Sequence, residues 1–292
     1  MHSPEFLHEL TFYYFTVSYV CAKIKVRLPL MDSFVNILIS KMNALPPEAM
    51  WVILLLVCFF SIISAARFFG TSGLYAYIGV VIVAANVQVL KAVQFSIYPE
   101  PVALGTILFA STYLATDILG EQFGEKAARK GVFIGFFAHL FFSVIMLITL
   151  GFSPLTPEQA GENMAWALPF HDHIAALFTL QFSLFTAGMV AYLTSQLYDV
   201  WFYGWLKKKM KGKHLWFRNN ASTMVSALID NTVFSVLAWI VLSSNPLPFK
   251  TVLFTYILGT YWLRIIIAAL DTPMIYLAKK WKFIGQKTTE AS

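Results

Sequence analysis

Asp230 and Arg264 are full charges set inside long apolar runs. A charged side chain near the centre of a membrane span costs roughly 2.5–3.5 kcal/mol on insertion scales, so each must face protein or a wet cavity and find a partner. For Arg264 the candidate carboxylates are Asp230 and Asp117. Asn219, Thr223, Ser226 and Asp230 step by four, three and four, which on a helix places them on one face. Tyr261, Arg264, Ala268 and Asp271 follow i, i+3, i+7 and i+10 and share a second face. Such groups suit recognition of a polar solute: a carboxylate accepts hydrogen bonds, a guanidinium donates them and an amide does both.

Further polar residues extend the set. Tyr113, Asp117 and Glu121 are spaced four apart, with Thr116 and Gly120 beside them. Two carboxylates on one face at a membrane boundary can bind a cation, relay a proton, accept from an N–H edge or pair with a buried arginine. Gln196 and Asp199 close another apolar run at a spacing of three, and Asn86 and Gln88 lie in mid-run with Lys91 near the end. The predicted substrate-binding set is Asp230, Arg264, Asp117, Asn219, Gln196, Asn86, Tyr261 and Asp271, with Glu121 and Asp199 as coupling or gate residues. His139 stands alone and His171-Asp172-His173 is too short a pattern for a metal site, so no metal and no cofactor are expected. Phosphate-loop, zinc-protease and serine-hydrolase signatures are absent. No enzymatic activity is expected, and any ATPase is a separate chain.

The elements that position these residues follow from the hydropathy. The 292 residues are 58% hydrophobic and 12% charged, with mean hydropathy +0.68, which excludes a soluble domain and predicts an all-α polytopic membrane protein. Apolar runs fall at 50–69, 74–93, 102–119, 131–150, 174–197, 222–242 and 252–277, each near the ~20 residues that a bilayer core requires. They predict a six-helix core bundle plus an additional N-terminal transmembrane helix. Pro273 is expected to kink or end the last run. Residues 1–49 read as an N-terminal extension, an interfacial helix or an over-extended start, with an aromatic-rich stretch at 6–22; residues 50–285 form the transmembrane domain and 286–292 a cytoplasmic tail. The net charge of +6 comes from clustered Lys and Arg at 126–130, 207–218 and 279–287, whereas 94–101 holds only Glu100 and 151–173 carries no Lys or Arg. By the positive-inside rule the basic loops and the carboxyl terminus are cytoplasmic. The charge is a topology signal, and no nucleic-acid partner is expected.

In order along the chain stand Ala115-Thr116-Asp117-Ile118-Leu119-Gly120-Glu121, Ser195-Gln196-Leu197-Tyr198-Asp199, Arg218-Asn219-Asn220-Ala221-Ser222-Thr223 with Ile229-Asp230-Asn231-Thr232-Val233-Phe234, and Tyr261-Trp262-Leu263-Arg264 with Leu270-Asp271-Thr272-Pro273. On these elements the chain resembles the bacterial queuosine precursor transporter family, and it is similar to the six-helix substrate-binding components of energy-coupling-factor vitamin transporters. The resemblance implies a protein of the bacterial cell membrane that takes up 7-cyano-7-deazaguanine or a related 7-deazaguanine for tRNA queuosine salvage. The alternative it implies is a substrate-capture subunit of an ATP-driven vitamin or nucleobase uptake complex. The implied partners are a purine-like small molecule, membrane lipid and, under the alternative, a separate energising module. For a guanine-like edge, Asp230 or Asp117 would accept the ring N–H and amine while Asn219, Gln196 or Arg264 donates to the carbonyl. Tyr261, Trp262 or Phe234 could stack on the ring.

Overall fold

The computed structural model describes residues 33–96, 101–178 and 182–280. The 6–22 stretch, Glu100 and the 286–292 tail lie outside them. The chain divides into two compact units, Met1–Met50 and Trp51–Ser292. In the first, residues 33–43 form helix α1, with Phe34, Ile37 and Leu38 exposed. The helices that follow are α2 (Pro47–Gln88), α3 (Thr106–Gln122), α4 (Glu125–Gly151), α5 (Pro157–Met164), α6 (Phe170–Phe178), α7 (Phe182–Lys209), α8 (Leu215–Val236), the short α9 (Phe249–Thr251) and α10 (Gly259–Lys280). Between α2 and α3, β1 (Ala92–Val93) pairs antiparallel with β2 (Val102–Ala103) in the register Ala92↔Ala103.

Among the described residues, the segments long and apolar enough to cross a membrane are Pro47–Gln88, Glu125–Gly151, Leu215–Val241 and Phe249–Lys280, with α6 and α7 adding a fifth if that bent pair is one span. The fold is therefore an all-α polytopic membrane protein. Its surface is apolar where a soluble protein would be polar. Phe133, Phe137, Phe141, Val144 and Ile148 step along one exposed face of α4, and the opposite face buries Ala128, Gly131, Val132, Gly135 and His139. Small residues on the inner face let neighbouring backbones approach closely.

Helix α2 is a helical hairpin. Gly70 adopts φ 58° and ψ −135°, a conformation that a residue with a Cβ avoids. A Cβ placed on Gly73 would lie 2.2 Å from the Ala65 carbonyl oxygen, yet residues eight apart in a straight helix are separated by about 12 Å. The chain must therefore fold back at Gly70, between the apolar runs expected at 50–69 and 74–93. The first arm buries Leu55, Cys58, Phe59, Ile62, Ile63 and Ala66 at helical spacing, and these join Leu74, Ile78 and Ile82 of the second arm in the main core.

At the centre lies α3, in which every residue from Ala110 to Gly120 is buried. With 17 residues it rises about 26 Å, short for an independent span. Enclosure by protein is what permits Ser111, Thr112, Thr116 and Asp117 on so apolar an element. Two π-helical turns, Leu237–Val241 after α8 and Val252–Leu258 before α10, depart from the regular helices that hydropathy alone suggests. Helix α10 runs through Pro273 as far as Lys280, so the proline does not end it. The run Lys207, Lys208, Lys209 occupies the last turn of α7, where positive charge opposes the helix dipole favourably.

Candidate functional site

The ion pair expected from the cost of a buried guanidinium is present, and its carboxylate is Asp230. Arg264 Nη1 lies 2.6 Å from Asp230 Oδ2, with the two side chains 11% and 10% exposed. The approach is close but poorly aligned, so Nη1 makes an ionic contact without completing a hydrogen bond. The other carboxylate oxygen, Oδ1, accepts from Ser195 Oγ at 3.1 Å, and Ser195 in turn accepts from the Tyr113 hydroxyl at 2.9 Å. A chain of contacts thus runs from α3 through α7 and α8 to α10.

This pair borders a cavity of about 440 Å³, within the ~300–1,000 Å³ of small-molecule sites. The β1–β2 hairpin, through Val102 and Ala103, forms part of its wall, as do Gly188 of α7 and Phe234 and Asn231 of α8. Both π-helical turns supply an aromatic ring: Trp239 from the first and Tyr256 from the second, their centroids 5.0 Å apart. A π turn inserts a residue into the helical register, a device frequent at functional sites. Asn231 Nδ2 donates to Ile257 O and to Thr260 Oγ1, both at 3.1 Å, which ties α8 to the second π turn. A carboxylate, a guanidinium with unused donors and two aromatic faces can together hold a flat heterocycle by its polar edge.

The other expected residues lie elsewhere. Gln196 is clamped to α3, donating to Thr112 Oγ1 at 2.7 Å and accepting from Thr116 Oγ1 at 3.2 Å. Asn86 donates to Ile82 O at 2.8 Å and backs the cavity wall behind Gly188. Tyr261 donates its hydroxyl to Met224 O at 2.9 Å and does not line the cavity. Trp262 packs against the cluster of Phe95, Val102 and Leu263. Of the aromatics considered from sequence, Phe234 is the one at the cavity. Asp117, Asp199, Asn219 and Asp271 are all buried and none of them lines this cavity: Asp117 Oδ2 accepts from Thr223 at 3.4 Å and Asp199 Oδ1 from Ser226 at 2.9 Å.

Glu121 is a hub of ion pairs at the basic end of the bundle. Its carboxylate meets Arg218 Nη1 at 3.0 Å, Lys207 Nζ at 3.2 Å and Lys279 Nζ at 2.9 Å, and accepts from the Tyr203 hydroxyl at 2.9 Å. It joins α3, α7, α8 and α10. Arg218 is fully buried and lies over the Tyr203 ring at 5.2 Å. Sequence reading grouped Arg218 with the loop lysines; its place directly before Asn219-Asn220, at the start of the polar face, was the available signal. Ser195, Trp239, Tyr256 and Asn231 were also missed as site residues, and only Ser195 and Asn231 lay within the motifs singled out.

A second cavity of about 420 Å³ opens at the basic end, lined by Lys207, Lys208, Lys211, Glu125, Tyr203 and Asp117 among others. On α3 the first cavity reaches Phe109 and the second begins at Thr116, an interval of about 10 Å along the helix. Tyr113, Ser195 and the Gln196 clamp fill it.

Residues 103–278, more than half of the chain, match the family described as "Putative vitamin uptake transporter". The chain is 28% identical over 234 residues, 80% of its length and 95% of the relative's, to the "Probable queuosine precursor transporter" of Bacillus subtilis (strain 168). No solved structure matches it. The matched region contains the Asp230–Arg264 pair, both π-helical turns and Glu121 with its partners Arg218, Lys207 and Tyr203, whereas the α2 hairpin precedes it. The chain belongs to the putative vitamin uptake transporter family, and is a multi-pass membrane transporter rather than an enzyme.

Proposed function

We propose that this transporter imports a queuosine precursor, 7-cyano-7-deazaguanine or a related 7-deazaguanine, for tRNA queuosine salvage, and that the Asp230–Arg264 cavity is its binding site. The observation that carries the reading is the pair itself, a carboxylate and a guanidinium 2.6 Å apart beside a cavity lined by the Trp239 and Tyr256 rings, which meet at a tilt of 36°. On binding, Asp230 accepts from the ring N–H and exocyclic amine, Arg264 donates to the carbonyl, and the rings cover the flat face. The name of the Bacillus relative supports the substrate class.

In this reading the protein lies in the bacterial inner membrane with six core spans and an additional N-terminal one, the two arms of α2 counting separately. The basic end, with Lys207 to Lys211 and Lys279, and the carboxyl terminus face the cytoplasm. The β-hairpin cavity then opens outward and the basic-end cavity inward. The layer of Tyr113, Ser195 and Gln196 between them is the barrier that rearranges as the solute passes. The experiment is complementation: a strain that needs external precursor, supplied with 7-cyano-7-deazaguanine and expressing this chain, should recover queuosine in its tRNA. Recovery confined to hosts that also hold an ATP-driven uptake module would point instead to a substrate-capture subunit. No recovery in any host, with the chain present in the membrane, would overturn the substrate assignment.

A further inference from the structure

Acidic side chains in the bundle interior fall into two groups. Asp230 has Arg264, and Glu121 has Arg218, Lys207 and Lys279. Asp117 on α3, Asp199 on α7 and Asp271 on α10 are 2%, 0% and 1% exposed, and among the described residues none of them forms an ion pair. Asp117 lies within electrostatic reach of both Asp199 and Asp271. Asp199 Oδ2 and Asp271 Oδ1 have no hydrogen-bond partner.

A second observation points at the same place from α8. Asn219 is 1% exposed, and neither its Oδ1 nor its Nδ2 has a partner. It shares a helix face with Thr223 and Ser226, which bond Asp117 and Asp199. Asn220 Nδ2 donates to Thr272 Oγ1 at 2.6 Å, which sets residue 219 level with Asp271. Facing the cluster are Tyr113 and Glu121 from α3, Tyr203 from α7, and Arg218 from α8, already bound to Glu121. From α2, Cys58 and Tyr77 lie within electrostatic reach of Asp271. Like charges this close and this dry cannot all be ionised together, and no group of His, Cys, Asp and Glu among the described residues is arranged to hold a metal ion. Asp117 also lines the basic-end cavity, which gives the cluster a route to water.

We propose that Asp117, Asp199 and Asp271, together with Asn219, form a proton-binding site that loads and unloads through the basic-end cavity and couples proton movement to solute movement. The step is simple protonation: a carboxylate gains a proton to become a carboxylic acid, whose O–H then donates to a neighbouring carboxylate or to Asn219 Oδ1. Thr223 and Ser226 of α8 hold Asp117 and Asp199, and Asp230 lies on the same helix four residues after Ser226. A change in protonation therefore acts on the helix that presents the solute-binding carboxylate. The coupling half of the proposal rests on the transport reading, whereas the proton site does not.

Infrared spectroscopy of the purified full chain tests the site directly. The wild type should show a protonated-carboxyl stretch in neutral buffer that changes between mildly acidic and mildly alkaline conditions and shrinks in Asp199→Asn and Asp271→Asn. A wild type with no such band would overturn the proposal, whether or not the variants fold. Coupling is read in liposomes containing the full chain, with labelled 7-cyano-7-deazaguanine as probe. A proton gradient should drive accumulation approaching about tenfold per pH unit for one proton per solute. Protonophore should abolish the accumulation and a sodium gradient should not replace it. Asp199→Asn should keep exchange of labelled for unlabelled solute while losing accumulation. Accumulation that follows sodium, or that survives protonophore, would contradict coupling to protons. If the wild type exchanges no probe at all, the substrate assignment fails, and the infrared result alone decides the proton site.

Discussion

Replacing Asp230 by asparagine keeps the shape of the side chain and removes its charge. Arg264, 11% exposed and 2.6 Å away, then has no carboxylate partner, and breaking a buried pair from one side costs about 3–5 kcal/mol. The hydrogen bonds that Asp230 would make to a heterocyclic edge are charge-assisted, worth about 1.5–3 kcal/mol, or roughly 10- to 150-fold in affinity. Asp230→Asn should therefore lower both thermal stability in detergent and solute affinity. The two losses separate in the double variant Asp230→Asn/Arg264→Gln. With no unpaired charge left, its stability should return to within about 1–2 kcal/mol of the wild type, because replacing both members of a buried pair is often close to neutral. Binding should stay lost. The assays are thermal unfolding and equilibrium binding of labelled 7-cyano-7-deazaguanine on the same preparations. A double variant that regains stability and affinity together would refute the reasoning, since the pair would then only brace the bundle.

Other outcomes follow from particular contacts. Trp239→Ala removes one of the two aromatic rings at the cavity and should weaken solute binding by about 1–3 kcal/mol with little change in unfolding temperature; equal losses in both would place Trp239 in the packing alone. Gln196→Leu breaks the clamp to Thr112 and Thr116 and should cost about 1–3 kcal/mol of stability, while the Kd of folded protein stays within about twofold. Gly73→Ala puts a methyl group 2.2 Å from the Ala65 carbonyl, so unfolding should shift by at least about 1–3 kcal/mol, and a neutral result would show that α2 does not fold back there. Arg218→Ala removes the fully buried cation from Tyr203 and Glu121 while Lys207 and Lys279 still pair with Glu121, and should destabilise the protein by about 1.5–3 kcal/mol, with Arg218→Lys recovering part of the loss in the same melt.

The membrane-spanning character and the Arg264–Asp230 pair were legible because both follow from one large term, the cost of placing polarity in lipid. Helical periodicity also put Asn219, Thr223, Ser226 and Asp230 on one face, and all are buried. Periodicity gives a face but no partner. It could not tell that Asp230 borders a cavity while Asn219, eleven positions earlier, sits in a different polar group, because that depends on which helix packs opposite each turn. Gln196 and Tyr261 were expected to read a solute on chemical type, and the structure engages both in contacts between helices. Trp239 and Tyr256 were hidden for a further reason. The π-helical turns that aim them at the cavity break the 3.6-residue period on which such a reading depends. Arg218 was obscured by neighbouring lysines, and only its full burial against Tyr203 and Glu121 separates it from a solvated loop charge.

The most direct test of the account is uptake of labelled 7-cyano-7-deazaguanine into liposomes whose sole protein is this chain, measured beside Asp230→Asn reconstituted at equal density. The account predicts saturable uptake by the wild type, competed by unlabelled compound, and a loss of at least about tenfold in apparent affinity for the variant. Wild-type uptake no faster than in empty liposomes, or equal uptake by wild type and Asp230→Asn, would contradict it.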